Sequence, residues 1–139
     1  VLLPPMDQEK LFRIYVSVKS RFVTGQYVLI GQVNTRLIRR MVRDYHFRNT
    51  PPEKTLENWK DICHASQLYI EPFEKTADLT IDTAIMYEPS LFREELLPLL
   101  EGYESHKEKV ELIKNAISAF FPISSQWVPA DSLLREFIG

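Results

Sequence analysis

A chain of 139 residues, of which 45% are hydrophobic and 12% aromatic, is long enough to fold as one domain around a substantial core. Seventeen Lys and Arg residues against 19 Asp and Glu residues give a formal net charge of −2, which excludes a global basic field for nonspecific nucleic-acid binding. The single cysteine, Cys63, excludes an internal disulfide, and no run of about 18 apolar residues predicts a membrane helix. We therefore expect a cytoplasmic protein with no nucleic-acid or membrane partner.

The first part of the chain combines a strand pattern with turn signals. Residues 10–18 alternate and are rich in β-branched and aromatic side chains, which predicts a partly buried strand. Residues 19–33 predict either a short hairpin or an ordered excursion around Gly25, which ends at Gly31. Because the chain opens on Val-Leu-Leu-Pro-Pro without a methionine, we expect residues 1–139 to be a single partial domain of a larger protein.

Two consecutive helices are predicted next. A side-chain oxygen of Asn34 or Thr35 caps the first, which runs to about Phe47. The Asn-Thr-Pro-Pro of residues 49–52 stops it, since neither proline can donate a backbone hydrogen bond. A proline near the first position and acidic residues in the first turn predict a second helix over residues 52–70.

One strand and two helices follow. Residues 77–84 alternate with a period of two, which predicts a strand that carries its aspartates on one face. Residues 89–100 have apolar side chains at helical spacing, with Gly102 as the terminus. A capping box of Ser105 and Glu108 is expected to start the next helix.

The last helix is predicted over residues 133–138, with Asp131 or Ser132 as its cap. Two or three strands and five helices predict an α/β fold, although these strands are too few for a complete doubly wound sheet. We therefore expect strands to be missing from the sheet, whose open edge invites pairing in a homo-oligomer.

Four arginines lie in the eleven residues from Asn34 to Asp44. The helical stripe beside them is apolar and consists of Leu37, Ile38, Met41, Val42 and Tyr45. With about 100° of rotation per residue, Arg36, Arg40 and Arg43 share another side of the predicted helix. Guanidinium groups this close repel one another, so scattered carboxylates or a bound phosphate are expected to neutralise them. A solvated basic face is the alternative.

Four segments, in matching order and spacing, carry a resemblance to a known family. They are Asn-Thr-Arg-Leu-Ile-Arg-Arg-Met-Val-Arg-Asp-Tyr-His-Phe-Arg at residues 34–48, Glu-Lys-Thr-Leu-Glu-Asn-Trp at 53–59, Tyr-Ile-Glu-Pro-Phe at 69–73 and Ala-Asp at 77–78. Together they resemble the lid and the following strand of the uridine kinase and phosphoribulokinase family. The chain most resembles the long bacterial nucleoside-kinase-like branch, in which a domain similar to the N-terminal part of threonyl-tRNA synthetase precedes the kinase. Residues 128–139 are similar to the C-terminus of that branch.

The resemblance implies the C-terminal part of a P-loop kinase-like parallel sheet with a helical lid and C-terminal helices. Residues 1–33 would form a strand and an excursion, residues 34–72 the arginine-rich lid, and residues 73–139 the closing strand and the C-terminal helices. Members of the family use ATP and Mg²⁺ to transfer the γ-phosphoryl group of ATP to a hydroxyl of a nucleoside or sugar phosphate. Such chemistry depends on positioning and charge neutralisation, which arginines on a closing lid provide.

By resemblance, the arginines have separate roles. Arg43 and Arg48 would bind the phosphates of ATP, and Arg40 would act catalytically on the transferred group or bind the acceptor sugar. Asn58 would lie beside the nucleoside base, where uridine kinases place a glutamine. The two remaining arginines between residues 34 and 44 are expected to pair with carboxylates.

The chain also departs from the family. None of its four glycines belongs to a Gly-x-x-x-x-Gly-Lys-[Ser/Thr] loop, so the P-loop, the acidic base and the Mg²⁺ ligands are expected in an upstream P-loop half of the same protein. Arg48 is followed by Asn49 and Thr50, where uridine kinases have Gly-Arg, and the basic stretch of the long branch is replaced after Trp59. A noncatalytic, pseudokinase-like interaction module therefore remains the alternative function.

Other polar constellations carry weaker signals. Three scattered histidines lack metal-ligand spacing, and we expect no metal ligands in this stretch. Asp78 and Asp82 stand about 13 Å apart on the predicted strand, too far for shared acid–base work, and would instead keep the edge soluble or pair with lid arginines. Tyr45 and Trp59 fall on apolar stripes, which favours packing in the core over stacking on a base.

Overall fold

The computed structural model describes residues 10–103 and 105–139, which form a mixed α/β fold as predicted. The strands are β1 (Ile14–Ser17), β2 (Phe22–Thr24), β3 (Tyr27–Ile30) and β4 (Leu79–Asp82). The α-helices are α1 (Gln32–Arg48), α2 (Pro52–Tyr69), α3 (Glu88–Leu99), α4 (Lys107–Ser118) and α5 (Arg135–Ile138). Two 3₁₀ helices, Glu71–Thr76 and Ser125–Trp127, lie between α2 and β4 and between α4 and α5.

The predicted hairpin is confirmed. β2 and β3 pair antiparallel, and Gly25 in the turn between them has a φ of +57°, a left-handed conformation that favours glycine. Phe22 and Ile30 face each other across the hairpin and are both buried. The ring of Phe22 meets that of Phe120 edge to face, with centroids 6.0 Å apart, so the hairpin packs its apolar side chains into the core.

β1 and β4 form a two-stranded parallel sheet, which confirms both predicted strands. Ile14 pairs with Leu79, and Val16 pairs with Ile81. Since paired residues of a ladder point to the same side, these four side chains share one face of the sheet, and all four are exposed. This face lies outside the hydrophobic core formed by the described residues.

Asp78 and Asp82 stabilise this sheet. Among the described residues neither forms an ion pair with an arginine of α1, which corrects one of the two expectations from the sequence. Asp78 Oδ2 accepts a hydrogen bond from the backbone N–H of Arg13 at 2.6 Å. Asp82 Oδ1 accepts from the backbone N–H of Lys19 at 2.9 Å, and its Oδ2 accepts from the Ser20 hydroxyl at 2.5 Å. Each carboxylate therefore joins the segments that flank β1 to β4.

The net effect of the hydrogen bonds of Asp82 is to lower the pKa of its carboxyl. Burial is the largest single influence and raises the pKa of this carboxyl. The Ser20 hydroxyl and the backbone N–H groups of Lys19, Ala84 and Ser20 act together in the opposite direction and lower the pKa from 3.8 to about 2. The folded state therefore prefers the ionised form of Asp82 more strongly than the unfolded state does.

We predict that Asp82→Asn lowers the free energy of unfolding at pH 6 and makes progressively less difference as the pH falls from about 4 to 2. A carboxylate with a depressed folded-state pKa stabilises the fold above its unfolded pKa, and this contribution disappears as the pH falls through the folded pKa. Urea unfolding at a series of pH values measures the effect. Asp131→Asn, at an exposed position, is the control; a pH-independent loss in Asp82→Asn would contradict the role of ionisation.

α1 begins earlier than the sequence predicts. Its N-cap is Gly31 and not Asn34 or Thr35, so the predicted cap is wrong. The Thr35 hydroxyl instead donates to the Gly31 carbonyl at 3.2 Å, inside the first turn. At the other end, Asn49 adopts a left-handed conformation with a φ of +50°, so the helix stops where the prolines predict.

The apolar stripe of α1 packs into the core, with Leu37, Met41 and Val42 fully buried. Tyr45 was expected to continue this stripe, but it is 44% exposed, and its ring contacts His46 edge to face at a centroid distance of 5.5 Å. Trp59 of α2 is partly buried against the core, as predicted. The stripe therefore ends one turn before the C-terminus of the helix.

α2 and α3 form close to their predicted bounds, whereas the start of α4 corrects the sequence analysis. His106 is the N-cap residue, in a left-handed conformation with a φ of +56°, and no side chain of a described residue caps the helix. The Ser105 hydroxyl donates to Glu53 Oε1 of α2 instead. The predicted capping box of Ser105 and Glu108 is wrong because a tertiary contact engages the hydroxyl.

α5 is shorter than predicted and begins at Arg135. Its N-cap is Leu134, without a side-chain cap among the described residues, so the predicted cap of Asp131 or Ser132 is wrong. The Ser132 hydroxyl instead accepts a hydrogen bond from the backbone N–H of Leu134 at 3.3 Å, before the helix begins. Arg135 donates to the carbonyl oxygens of Ser125, Val128, Pro129 and Gly139. The Arg135 guanidinium thus links the turns before α5 to the C-terminal end of the helix.

The core joins α1, α3, α4 and α5 to the hairpin. Its helical members with less than 2% exposure are Leu37, Met41, Val42, Leu91, Phe92, Leu96, Ile113 and Ile117. Across the described ranges, the helices are too short or too polar to traverse a lipid bilayer.

A buried ion pair joins α1 to α3. Arg39 Nε donates to Glu88 Oε2 at 2.6 Å and Arg39 Nη2 donates to Glu88 Oε1 at 3.0 Å, with both side chains less than a tenth exposed. Arg39 also donates to the Thr83 hydroxyl at 3.1 Å and to the Thr83 carbonyl at 2.5 Å. Each of the three guanidinium nitrogens of Arg39 therefore makes at least one hydrogen bond.

We predict that Glu88→Ala lowers the free energy of unfolding by about 3–5 kcal/mol, because it leaves the Arg39 guanidinium buried without its counter-ion. Urea denaturation monitored by circular dichroism measures this loss. Glu94→Ala, at an exposed position of the same helix, is the matched control and should change stability by less than about 0.5 kcal/mol. Equal effects of the two substitutions would show that the pair does not hold α1 against α3.

Candidate anion-binding groove

The arginine-bearing side of α1 borders an open groove of about 210 Å³. Its lining residues are Arg36, Arg39, Arg40 and Arg43 of α1, Trp59 and Ile62 of α2, and Phe137 of α5. Because the apolar stripe of α1 faces the core, the helical repeat turns the arginines toward α2 and α5. The groove therefore concentrates four guanidinium groups on one surface.

Three of these arginines lie beside carboxylates, and two of them, Arg36 and Arg39, are the ones that the sequence analysis expects to be paired. The Arg39 guanidinium is bound by Glu88 and Thr83 and forms part of the wall of the groove. Arg36 is held more loosely, since its Nη1 lies 3.9 Å from Glu71 Oε1 and its Nη2 donates to the Ser66 hydroxyl at 3.1 Å. Arg36 is also one-third exposed, so it keeps donors available to a ligand.

Arg40 and Arg48 share one carboxylate, that of Asp44. Arg48 Nη1 donates to Asp44 Oδ1 at 2.9 Å. Arg40 Nε lies 3.2 Å from Asp44 Oδ2, but its N–H makes no hydrogen bond there, so this contact is electrostatic. Asp44 is buried, whereas the side chain of Arg48 is 52% exposed.

Arg43 makes no ion pair with any carboxylate in the ranges that the structure describes. Its Nε is buried and has no hydrogen-bond partner. A buried donor without an acceptor costs about 1–3 kcal/mol, and more when the group is charged. Arg43, like Arg40, therefore has a buried Nε–H that is available to an acceptor from outside the described residues.

The structure brings two of the predicted site residues together and separates the others from them. Arg40 and Arg43 both line the groove. Arg48, in the last turn of α1, and Asn58, exposed on α2, are not among its lining residues. Trp59, which follows Asn58, lines the groove as well as packing against the core.

Sequence reasoning missed Asp44 and Phe137. Asp44 lies four residues from both Arg40 and Arg48, a helical spacing that is visible in the sequence and was the available signal. Phe137 reaches the groove from the far end of the chain, and its ring centroid lies 5.4 Å from the guanidinium carbon of Arg39. No local pattern predicts such a contact.

A second cavity, of about 250 Å³, adjoins the groove through Arg36, which lines both. It lies at the carboxyl end of β1, beside Ser17, and is closed by Glu74 and the end of α2. Lys19 Nζ donates to Glu74 Oε1 at 2.5 Å, and this hydrogen bond raises the pKa of Lys19 above its ordinary value. The cavity wall thus combines donors and acceptors of both charges, unlike the cationic groove.

Comparison with protein-family models, with characterised proteins and with solved structures finds no significant match to this chain. Within residues 10–103 and 105–139, no group of three or more His, Cys, Asp or Glu side chains is arranged to hold a metal ion. The functional assignment therefore depends on the groove and its unpaired arginine.

Proposed function

We propose that this chain is the C-terminal portion of an ATP-dependent nucleoside kinase of the uridine kinase type, which transfers the γ-phosphoryl group of ATP to a hydroxyl of a nucleoside or sugar. The observation that carries the proposal is the buried, partnerless Nε of Arg43 in a groove that also contains Arg36 and Arg40. A polyphosphate offers the oxygen acceptors that this surface lacks.

The charge balance of the groove favours a polyanion. Glu88 neutralises Arg39, whereas the single carboxylate of Asp44 serves both Arg40 and Arg48. Positive charge therefore remains on Arg43 and on the Arg40–Arg48 pair, and Arg36 is only loosely paired with Glu71. Guanidinium forks chelate phosphate oxygens in pairs of parallel hydrogen bonds. These bonds strengthen where the bound polyphosphate displaces water from the groove.

Each residue that the resemblance singles out has a role in this proposal. Arg43 binds a phosphate of ATP, and Arg40 faces the transferred phosphoryl group with terminal nitrogens that make no hydrogen bond among the described residues. Arg48, about half exposed in the last turn of α1, binds a phosphate oxygen of ATP beside the groove. Asn58, on the exposed side of α2, contacts the acceptor.

In this proposal an upstream half of the same protein supplies the P-loop, the acidic base and the Mg²⁺ ligands. The exposed apolar face of β1 and β4 supports such a partner, because parallel strands in α/β proteins are normally covered on both faces. ATP, when bound, provides the phosphoryl group. The residues of this chain orient its phosphates and neutralise their charge.

We predict that Arg43→Ala, in the protein encoded by the complete reading frame, lowers kcat/KM for ATP by about 10- to 150-fold. This range corresponds to a loss of about 1.5–3 kcal/mol for one charge-assisted hydrogen bond. Steady-state measurements of ADP release with a panel of nucleosides provide the readout.

The matched control for this experiment is Lys107→Ala, which removes an exposed cation at the start of α4, away from the groove. Its kinetics should equal those of the unsubstituted protein. Kinetics that Arg43→Ala leaves unchanged, with the fold intact, would overturn the assignment of the groove to ATP.

We further predict that Ile81→Asp lowers the free energy of unfolding of the complete protein by about 2 kcal/mol or more, because the upstream half covers this side chain. Val23→Asp, at a similarly exposed position of the hairpin, should cost less than about 0.5 kcal/mol. Chemical denaturation compares the two variants. Equal and small effects would count against an upstream half on this face.

A noncatalytic, pseudokinase-like interaction module is the second candidate. Several large aromatic side chains are exposed, including Tyr69, Phe121 and Trp127, each by more than 70% of its surface. Exposed aromatic residues are typical of interaction surfaces. The nucleoside panel separates the candidates, since a module of this kind binds ATP or a partner but releases no ADP.

A further inference from the structure

Asp44 is a buried carboxylate that contacts two arginines at once. It is 4% exposed, and its carboxylate lies between two arginines that are both more exposed, with 30% of the Arg40 side chain and 52% of the Arg48 side chain accessible. Its Oδ2 also accepts a hydrogen bond from the Thr55 hydroxyl of α2 at 3.4 Å. The carboxylate thus lies behind the two guanidinium groups, on the protein side.

The spacing along α1 explains why one carboxylate reaches both arginines. Arg40 precedes Asp44 by one helical turn and Arg48 follows it by one turn, so all three side chains lie on the same face. Asp44 contacts Arg40 through Nε and Arg48 through Nη1. Each guanidinium therefore keeps its other nitrogens for a ligand.

We infer that Asp44 is a positioning residue, which fixes Arg40 and Arg48 relative to each other and so presets the spacing of donors that bind a polyphosphate. This inference rests on the proposed function and deepens it, because it assigns the pre-organisation of the phosphate site to one side chain. Long arginine side chains lose rotamer entropy when a ligand immobilises them. A carboxylate that already holds them lowers this cost.

The competing account is that Asp44 is only a counter-ion. A negative charge beside the groove weakens anion binding through space, so its removal strengthens binding. Positioning has the opposite consequence and depends on geometry, not on charge alone. A substitution that keeps the charge but moves the carboxylate therefore separates the two accounts.

The test measures tripolyphosphate and ATP binding to the complete protein by titration calorimetry. Asp44→Glu keeps the charge and displaces the carboxylate, and we expect both ligands to bind about tenfold more weakly, the cost of ordering two long side chains. The same substitution in an Arg40→Ala/Arg48→Ala background should have no further effect, because Asp44 acts through these arginines. Asp131→Glu, at an exposed position, is the matched control.

Two outcomes would overturn the positioning role of Asp44. Unchanged affinity in Asp44→Glu together with tighter binding in Asp44→Asn overturns positioning in favour of a counter-ion. A loss that persists without Arg40 and Arg48 also overturns it. If thermal unfolding shows that Asp44→Glu does not fold, Thr55→Val is the second variant, because it removes the hydroxyl that bonds Asp44 without a change of charge. We expect it to weaken binding about two- to threefold, which corresponds to one weak hydrogen bond. Unchanged binding in Thr55→Val would overturn the inference.

Failure of the proposed function gives a different result. In that case the unsubstituted protein binds neither tripolyphosphate nor ATP, and the positioning role falls with it. Binding by the unsubstituted protein that is indifferent to Asp44 overturns only the inference and leaves the phosphate groove intact.

Discussion

The buried ion pair between Arg39 and Glu88 is the constraint on which the rest of the structure depends. It satisfies all three nitrogens of one guanidinium together with Thr83, and it joins α1 to the start of α3 and to the segment that follows β4. Because a buried charge pair is costly to desolvate, this pair contributes more to the orientation of α1 against α3 than to the net free energy of unfolding. Once Arg39 is fixed, the helical repeat decides where Arg36, Arg40 and Arg43 can lie. The groove is therefore a consequence of how one arginine is buried.

The remaining arginines show how a protein keeps cations close together without satisfying all of them. Glu71 stands 3.9 Å from Arg36, a distance at which an exposed pair contributes little. Asp44 serves two arginines at once, which leaves each with spare donors. Arg43 has no such partner among the described residues, and its buried Nε is left without an acceptor there. A cluster with more carboxylates would be more stable and would bind anions less well, so the shortage of acceptors is the feature that suits a phosphate.

Local patterns predicted most of the elements, because the features that specify them are short-range. The apolar stripe of α1, the prolines that end it and the glycine of the hairpin each act within a few residues, and the structure agrees with them. The predicted cap of α4 is wrong for a tertiary reason, because Ser105 bonds Glu53 of α2 and His106 takes a left-handed conformation. The predicted cap of α1 is wrong for a local one, because the Thr35 hydroxyl bonds the carbonyl of Gly31. The site was predictable only in part for a tertiary reason. Its arginines follow from one helix, whereas the contribution of Phe137 required the whole chain to fold.

The parallel sheet and the arginine groove meet at the amino end of α1. In open α/β sheets, ligands bind beyond the carboxyl ends of the strands. Here Thr83, just beyond β4, is bonded to Arg39, and Lys19, just beyond β1, is bonded to Glu74 in the cavity that shares Arg36 with the groove. A molecule held at the strand ends would therefore lie next to the guanidinium cluster, since Arg36 lines both cavities. Group transfer between two bound molecules requires their reacting atoms to be held within about 3–3.5 Å of each other. Two adjoining cavities with one shared arginine, one cationic and one of mixed charge, provide the adjacency from which such an approach can be made.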